Sequence, residues 1–164
     1  MYLLIALVLW LMSTKVSLAD YTVWDAPIVY YAFEDMSNGD SYGKDSAGNN
    51  NLTLYSGGTS LPVVTQGKYG RGVKFDGQGN YAGTADSSQF SQTGSFSSEA
   101  WVKLDLLPAT SSSGTVLAKW DESSDLRTFR LRVVTDSDGR SWPEWQISTD
   151  GTSGNIKTVT GNTQ

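Results

Sequence analysis

Four oxygen-bearing side chains, Glu34, Asp35, Asp45 and Asn49, fall within one stretch rich in Gly, Asp and Asn that runs from Glu34 to Asn51. Glycines there let the backbone fold back and offer carbonyl oxygens as well. Calcium takes about six to eight such oxygens, several of them carboxylates, so these four are candidate ligands of a structural calcium. The same residues also suit a solvated loop in which Asp and Asn satisfy turn backbone. The chain contains no Cys and no His. That removes thiol nucleophiles, Ser-His-Asp triads, imidazole bases and the usual zinc ligand sets. Oxygen ligation is left as the route to any metal. Asp136-Ser137-Asp138-Gly139 opens like a calcium loop but lacks the third acidic position and the distal Glu. It reads as a hairpin turn.

The second chemistry is aromatic. Trp24, Trp101, Trp120, Trp142 and Trp145 follow the N-terminal apolar run. Exposed Trp and Tyr can stack on pyranose faces while polar neighbours fix the hydroxyls. Alternation along a strand from Phe96 to Lys103 places Glu99 and Trp101 on one face, with Phe96, Ala100 and Val102 on the other. Trp101 and Glu99 are therefore candidate ligand-binding residues if that face is open, and core residues if it is covered. Trp142, next to Pro143 at a loop-to-strand junction, is a third candidate. Asn51-Leu52-Thr53 has the form of an N-glycosylation acceptor, a triplet that also arises by chance.

The elements that must position these groups are strands. Sustained helical periodicity is absent after Ala19, and short β-rich runs alternate with turn chemistry. Runs are expected at Ile28–Phe33, Leu52–Tyr55, Gly72–Phe75, Phe96–Leu104, Thr115–Trp120, Thr128–Val134, Glu144–Ser148 and Ile156–Val159. Asp76-Gly77, Asp138-Gly139 and Asp150-Gly151 supply turns. Phe129, Leu131 and Val133 alternate with Arg130 and Arg132, the pattern of a half-buried antiparallel strand. Trp145 and Ile147 are expected to share the inner face. Many short strands at this spacing imply a sandwich or barrel.

Composition agrees: 17 glycines and only 18% charged residues suit a turn-rich β domain of 164 residues better than a helical bundle. A net charge of −5 repels a phosphate backbone, so nucleic acid is not an expected partner. Tyr2 to Met12 is an unbroken apolar run of 11 residues, short of the roughly 20 needed to span a bilayer. Ser17 and Ala19 follow it as small residues, so residues 1–19 read as a signal peptide, though no basic residue precedes the run. Its removal takes away Lys15 and no acid. The expected product is secreted or at the cell surface, with no membrane span.

Four pieces of the chain, in order, resemble the laminin-G-like jelly-roll modules of the concanavalin A-like lectin and glucanase superfamily. They are Tyr31-Ala32-Phe33-Glu34-Asp35, then Asp45-Ser46-Ala47-Gly48-Asn49-Asn50 leading into Leu52-Thr53-Leu54. The third is Gly67-Lys68-Tyr69-Gly70-Arg71-Gly72-Val73-Lys74-Phe75-Asp76-Gly77 with Tyr81 after it, and the fourth is Gly94-Ser95-Phe96 through Trp101-Val102-Lys103. The resemblance covers about residues 28–160. It implies an all-β, antiparallel β-sandwich of the jelly-roll type, with a structural calcium near the acidic loop. Family members continue with further strands after the last matched one, so the resemblance implies a C-terminally incomplete domain. The expected organisation is a signal peptide at 1–19, a lead-in at 20–27 and the jelly-roll domain at 28–164, within a parent protein that carries other domains.

Catalysis is not expected. Laminarinase-type hydrolases of the superfamily use Glu-x-Asp-x-Glu on one strand, which sets two carboxylates about 5–5.5 Å apart. No acidic residues here have that spacing; Glu99 has no carboxylate two residues away on either side. The resulting expectation is a secreted, non-catalytic module that recognises carbohydrate or a surface glycoprotein, with calcium assisting. Two alternatives stand beside it: an adhesive or structural protein-contact domain of a larger surface or virion protein, and an accessory domain of a polysaccharide-degrading enzyme.

Overall fold

The computed structural model describes residues 27–162 apart from 59 and 93, together with the backbone of two strands nearer the N-terminus. Lys15, Ser17, Ala19 and Trp24, and with them the expected cleavage site, lie outside the described residues. Among the described residues the chain is nearly all β, with helix confined to two short 3-10 turns. Every strand pairing among the described residues is antiparallel.

Two compact units divide the chain, Met1–Asp105 and Leu106–Gln164. The first holds β1 (Tyr2–Leu3), β2 (Leu7–Leu11), β3 (Val29–Tyr31), β4 (Tyr42–Gly43), β5 (Leu52–Tyr55), β6 (Val63–Gln66), β7 (Arg71–Lys74), β8 (Tyr81–Gly83) and β9 (Phe96–Glu99). They form three three-stranded sheets, in the orders β1-β7-β6, β3-β2-β9 and β4-β5-β8. The core draws on alternate positions of these strands and their extensions: Val29, Tyr31, Phe33, Leu52, Leu54, Val73 and Phe75, with Met36 and Phe90. Residues 7–11, inside the segment read as a signal peptide, are the middle strand between β3 and β9.

The second unit is one four-stranded meander of β10 (Ser112–Asp121), β11 (Leu126–Thr135), β12 (Ser141–Ser148) and β13 (Ile156–Thr160). The alternation on β11 carries across the sheet: Phe129, Leu131 and Val133 face Ile147, Trp145 and Pro143, while Arg130 and Arg132 face Gln146 and Glu144. Burial departs from that simple pattern. Glu144 and Gln146 are buried, whereas Leu131, Val133, Trp145 and Ile147 are half-buried. The arginines cover their polar partners. Arg130 Nε donates to Gln146 Oε1 at 2.6 Å and Arg132 Nε to Glu144 Oε1 at 2.7 Å, so a polar ladder is closed on its own face.

Candidate functional site

Of the four candidate ligands only Asp45 turns inward; Glu34, Asp35 and Asn49 are exposed. Asp45 is 1% exposed. Its Oδ1 accepts from the backbone N–H groups of Tyr30 and Ala47, each at 2.9 Å, and its Oδ2 from that of Asn50 at 3.1 Å. Asp45 N in turn donates to Asn51 Oδ1 at 3.0 Å, so the side chain of the glycosylation triplet is engaged at this loop. Charge-assisted bonds of this kind tie the loop to β3. The phenol of Tyr31 donates to the Asn50 carbonyl, and burial first, then the Asp45 charge, pushes its pKa above the ordinary tyrosine value.

Glu34 goes elsewhere. Phe33 takes a φ of 62°, in the left-handed region that bulky residues rarely occupy. Met36 N donates back to its carbonyl at 3.2 Å, so the chain reverses directly after the first core strand. Glu34 Oε1 then accepts from Arg71 N at 3.0 Å. Asp35 and Asn49 are exposed. Among the described residues no three or more His, Cys, Asp or Glu side chains gather as a metal group. Asp45 thus spends both carboxylate oxygens on loop N–H groups, while one oxygen of Glu34 is taken at the start of β7. Asp136 is likewise spent on its hairpin, accepting from Asp138 N and Arg140 N, each at 2.9 Å.

What Glu34 supports is a hairpin tip. Gln66 pairs with Arg71, and Gly67 N donates to Gly70 O at 2.7 Å, so Lys68 and Tyr69 cap the β6–β7 hairpin. Gly70 has a φ of 60°, and a Cβ there would lie 1.7 Å from Glu34 Oε1. The tip therefore needs glycine for conformation and for space.

Against this tip lies the stretch that follows β9. Regular pairing stops at Glu99, yet alternation continues: Glu99, Trp101 and Lys103 are exposed, while Ala100, Val102 and Leu104 are half-buried. Trp101 is 41% exposed and Tyr69 is 68% exposed. Their rings meet edge to face, with centroids 5.5 Å apart and planes at 85°. That is a favoured aromatic geometry, and it fixes the orientation of the Trp101 face. Lys68 Nζ sits 5.8 Å from the Trp101 centroid and 5.9 Å from that of Tyr69. Thr65, Gln66, Gly67, Lys68, Trp101, Val102 and Lys103 line an open cleft of about 650 Å³.

Of the expected ligand-binding residues, Trp101 lies in this cleft. Glu99 points to the same side but is outside its lining. Trp142 belongs to the second unit, as the second residue of β12 directly after the hairpin turn, and pairs with Val134. It is half-buried, and its indole N–H is buried without a hydrogen-bond partner. Lys68, Tyr69, Gln66 and Lys103 were not singled out by the sequence reading. Two glycines bracketing Lys68-Tyr69 were the available signal, since they mark a tight tip that must expose what it carries. A second aromatic group escaped it too: Arg130 stacks over Trp120 at 4.4 Å, and Glu122 Oε1 accepts from Trp120 Nε1 and Arg130 Nη1.

Comparison with known proteins finds no matching family model, no matching curated protein and no matching solved structure.

Proposed function

We propose that this chain is a non-catalytic carbohydrate-binding module, secreted or at the cell surface, whose ligand sits in the Trp101 cleft. The observation that carries the reading is Trp101 itself: a large indole left open, oriented by Tyr69 and flanked by amide, hydroxyl and ammonium donors. An aromatic face beside convergent polar groups is the chemistry a pyranose needs, with its apolar C–H face and its equatorial hydroxyls. The all-β antiparallel architecture and the four ordered motifs are compatible with a laminin-G-like jelly roll, which supports the reading by analogy of fold. The apolar run followed by Ser17 and Ala19 supports export.

The experiment is calorimetric titration of the folded chain against a glycan panel, with Trp101→Ala beside the wild type. Loss of a stacked aromatic is expected to weaken binding about tenfold or more, the scale of a central hot-spot side chain. A Trp101→Ala variant that binds as well as the wild type would remove the cleft from consideration.

A different surface favours a second reading, adhesive protein contact. Cross-strand pairing puts Tyr42, Thr53, Tyr55, Tyr81 and Gly83 on one face of β4-β5-β8. All three tyrosines are exposed, and Tyr55 stacks on Tyr81 with centroids 4.6 Å apart. Tyrosine is enriched in protein interfaces. Competition by free sugar separates the two readings, because it displaces a glycan-dependent partner and leaves a protein contact intact.

A further inference from the structure

We propose that Tyr55 and Tyr81 form a site of oxidative crosslinking, where a haem peroxidase and hydrogen peroxide join the two phenols as dityrosine and staple β5 to β8. The site is independent of what the Trp101 cleft binds. Its basis is a pair of rings. Tyr55 and Tyr81 lie directly opposite each other on neighbouring antiparallel strands, where Cβ atoms stand about 4.5–5.5 Å apart. Their rings stack with centroids 4.6 Å apart and planes at 14°. Tyr55 is 42% exposed and Tyr81 55%, so an oxidant in solution reaches both. Among the described residues no other two tyrosines stand in ring contact.

The surroundings favour reaction at this pair. Gly83, opposite Thr53 on the same face, carries no side chain to cover the rings; a Cβ there would lie 3.7 Å from Tyr55 Cε2, a carbon ortho to the phenol oxygen. Other tyrosines are placed differently. Tyr31 is buried with its hydroxyl on the Asn50 carbonyl, and Tyr69 meets an indole. Tyr42 shares the face but sits opposite Thr53, one diagonal step from Tyr55. The chain has no Cys. It therefore holds no thiol of its own to quench a tyrosyl radical, and no disulfide to staple an exported domain.

The chemistry balances. Each phenol gives one electron and one proton to the oxidised peroxidase, and two such steps return the enzyme to rest as one hydrogen peroxide becomes two waters. The two phenoxyl radicals pair through ring carbons ortho to oxygen, forming one C–C bond. A proton then moves from each joined carbon to its oxygen and restores both aromatic rings. The chain loses two hydrogens and nothing else. Because the sheet holds the second ring against the first, the intrachain bond has a high effective concentration over a bond between chains. It closes the stretch from Tyr55 to Tyr81 into a loop, and a constraint of that kind lowers the entropy of the unfolded chain.

The test treats the dilute, folded chain with a haem peroxidase and limiting hydrogen peroxide, then reads intact mass, dityrosine fluorescence and a tryptic map. Tryptic cleavage puts Tyr55 in the peptide of residues 45–68 and Tyr81 in that of residues 75–103, while Tyr42 and Tyr69 fall in others. The expected product is a monomer lighter by two hydrogens in which those two peptides are joined. Tyr55→Phe and Tyr81→Phe, which keep the rings and remove the phenols, should each reduce the joined peptide at least tenfold. Tyr42→Phe should leave it in place. The crosslinked chain should melt several degrees above Tyr55→Phe treated in the same way. A monomer of unchanged mass, a joined peptide that persists in Tyr55→Phe, or crosslinks found only between chains would overturn the site. A crosslinked chain that melts no higher would overturn its role as a staple.

Discussion

Asp45 shows what residue type alone leaves open. Its place in a loop of Gly, Asp and Asn marks it as an oxygen donor, and composition carries no record of which way the carboxylate faces. Direction is decided by β3: the N–H of Tyr30 is a donor that the sheet does not use, and Asp45 satisfies it from the interior. Asp45→Ala would leave three backbone N–H groups without their acceptor. Given charge-assisted bonds and buried donors, the expected cost is about 3 kcal/mol, measured by denaturant unfolding. A change below about 1 kcal/mol would mean that water reaches the loop and replaces the carboxylate. Trp101 is the contrasting case. Alternation put it with Glu99 on one face, but whether that face was open depended on what lay opposite, and Tyr69 is 32 positions earlier in the chain.

Strands with regular pattern and adequate length were legible as elements. Leu52–Tyr55 is β5 to the residue, and the hydrophobic alternation of β11 persists through its register with β12. Tyr42–Gly43 and Tyr81–Gly83 were missed because two or three residues cannot display a period, and both end on a glycine. Val63–Gln66 lacks apolar alternation, and its burial is irregular as well. β10 runs longer than its apolar centre because Ser112, Ser113, Gly114 and Asp121 also pair with β11, and two register shifts fall within that centre. The β6–β7 tip is where an element makes function. Gly70→Ala would place a Cβ against the Glu34 carboxylate and force a left-handed backbone, at a cost of about 1–2 kcal/mol from conformation alone. The expected readout is a lower unfolding midpoint together with weaker glycan binding, since Lys68 and Tyr69 ride on the same turn. Unchanged binding in a folded Gly70→Ala chain would show that the tip is not needed for the site.

At the scale of the whole molecule, the all-β class follows from composition and turn spacing, while the use of the N-terminal apolar run does not. A signal sequence and a central strand both call for an uncharged apolar segment, so residues 7–11 fit either description. Their backbone pairs with β3 and β9 in one three-stranded sheet. Charge acts on the whole chain as well. Asp121, Glu122 and Asp150 have pKa values held below the ordinary 3.8 and 4.5. Hydrogen bonds from Ser123 do this for Asp121, from Trp120 and Arg130 for Glu122, and from Thr152 and Asn155 for Asp150. The folded state thus binds fewer protons than the unfolded chain around those values. The stability these groups confer is present above about pH 4.5 and is lost as pH falls through their lowered values. Melting temperature should therefore decline as pH falls below about 4.5, and a flat profile there would contradict those bonds.

The most direct test of the account is calorimetric titration of the folded chain with neutral, carboxylated and sulfated oligosaccharides, repeated on Trp101→Ala. The account predicts saturable binding of at least one of them and a loss of tenfold or more on removing the indole. No binding by the folded wild type, or binding that survives Trp101→Ala undiminished, would contradict it.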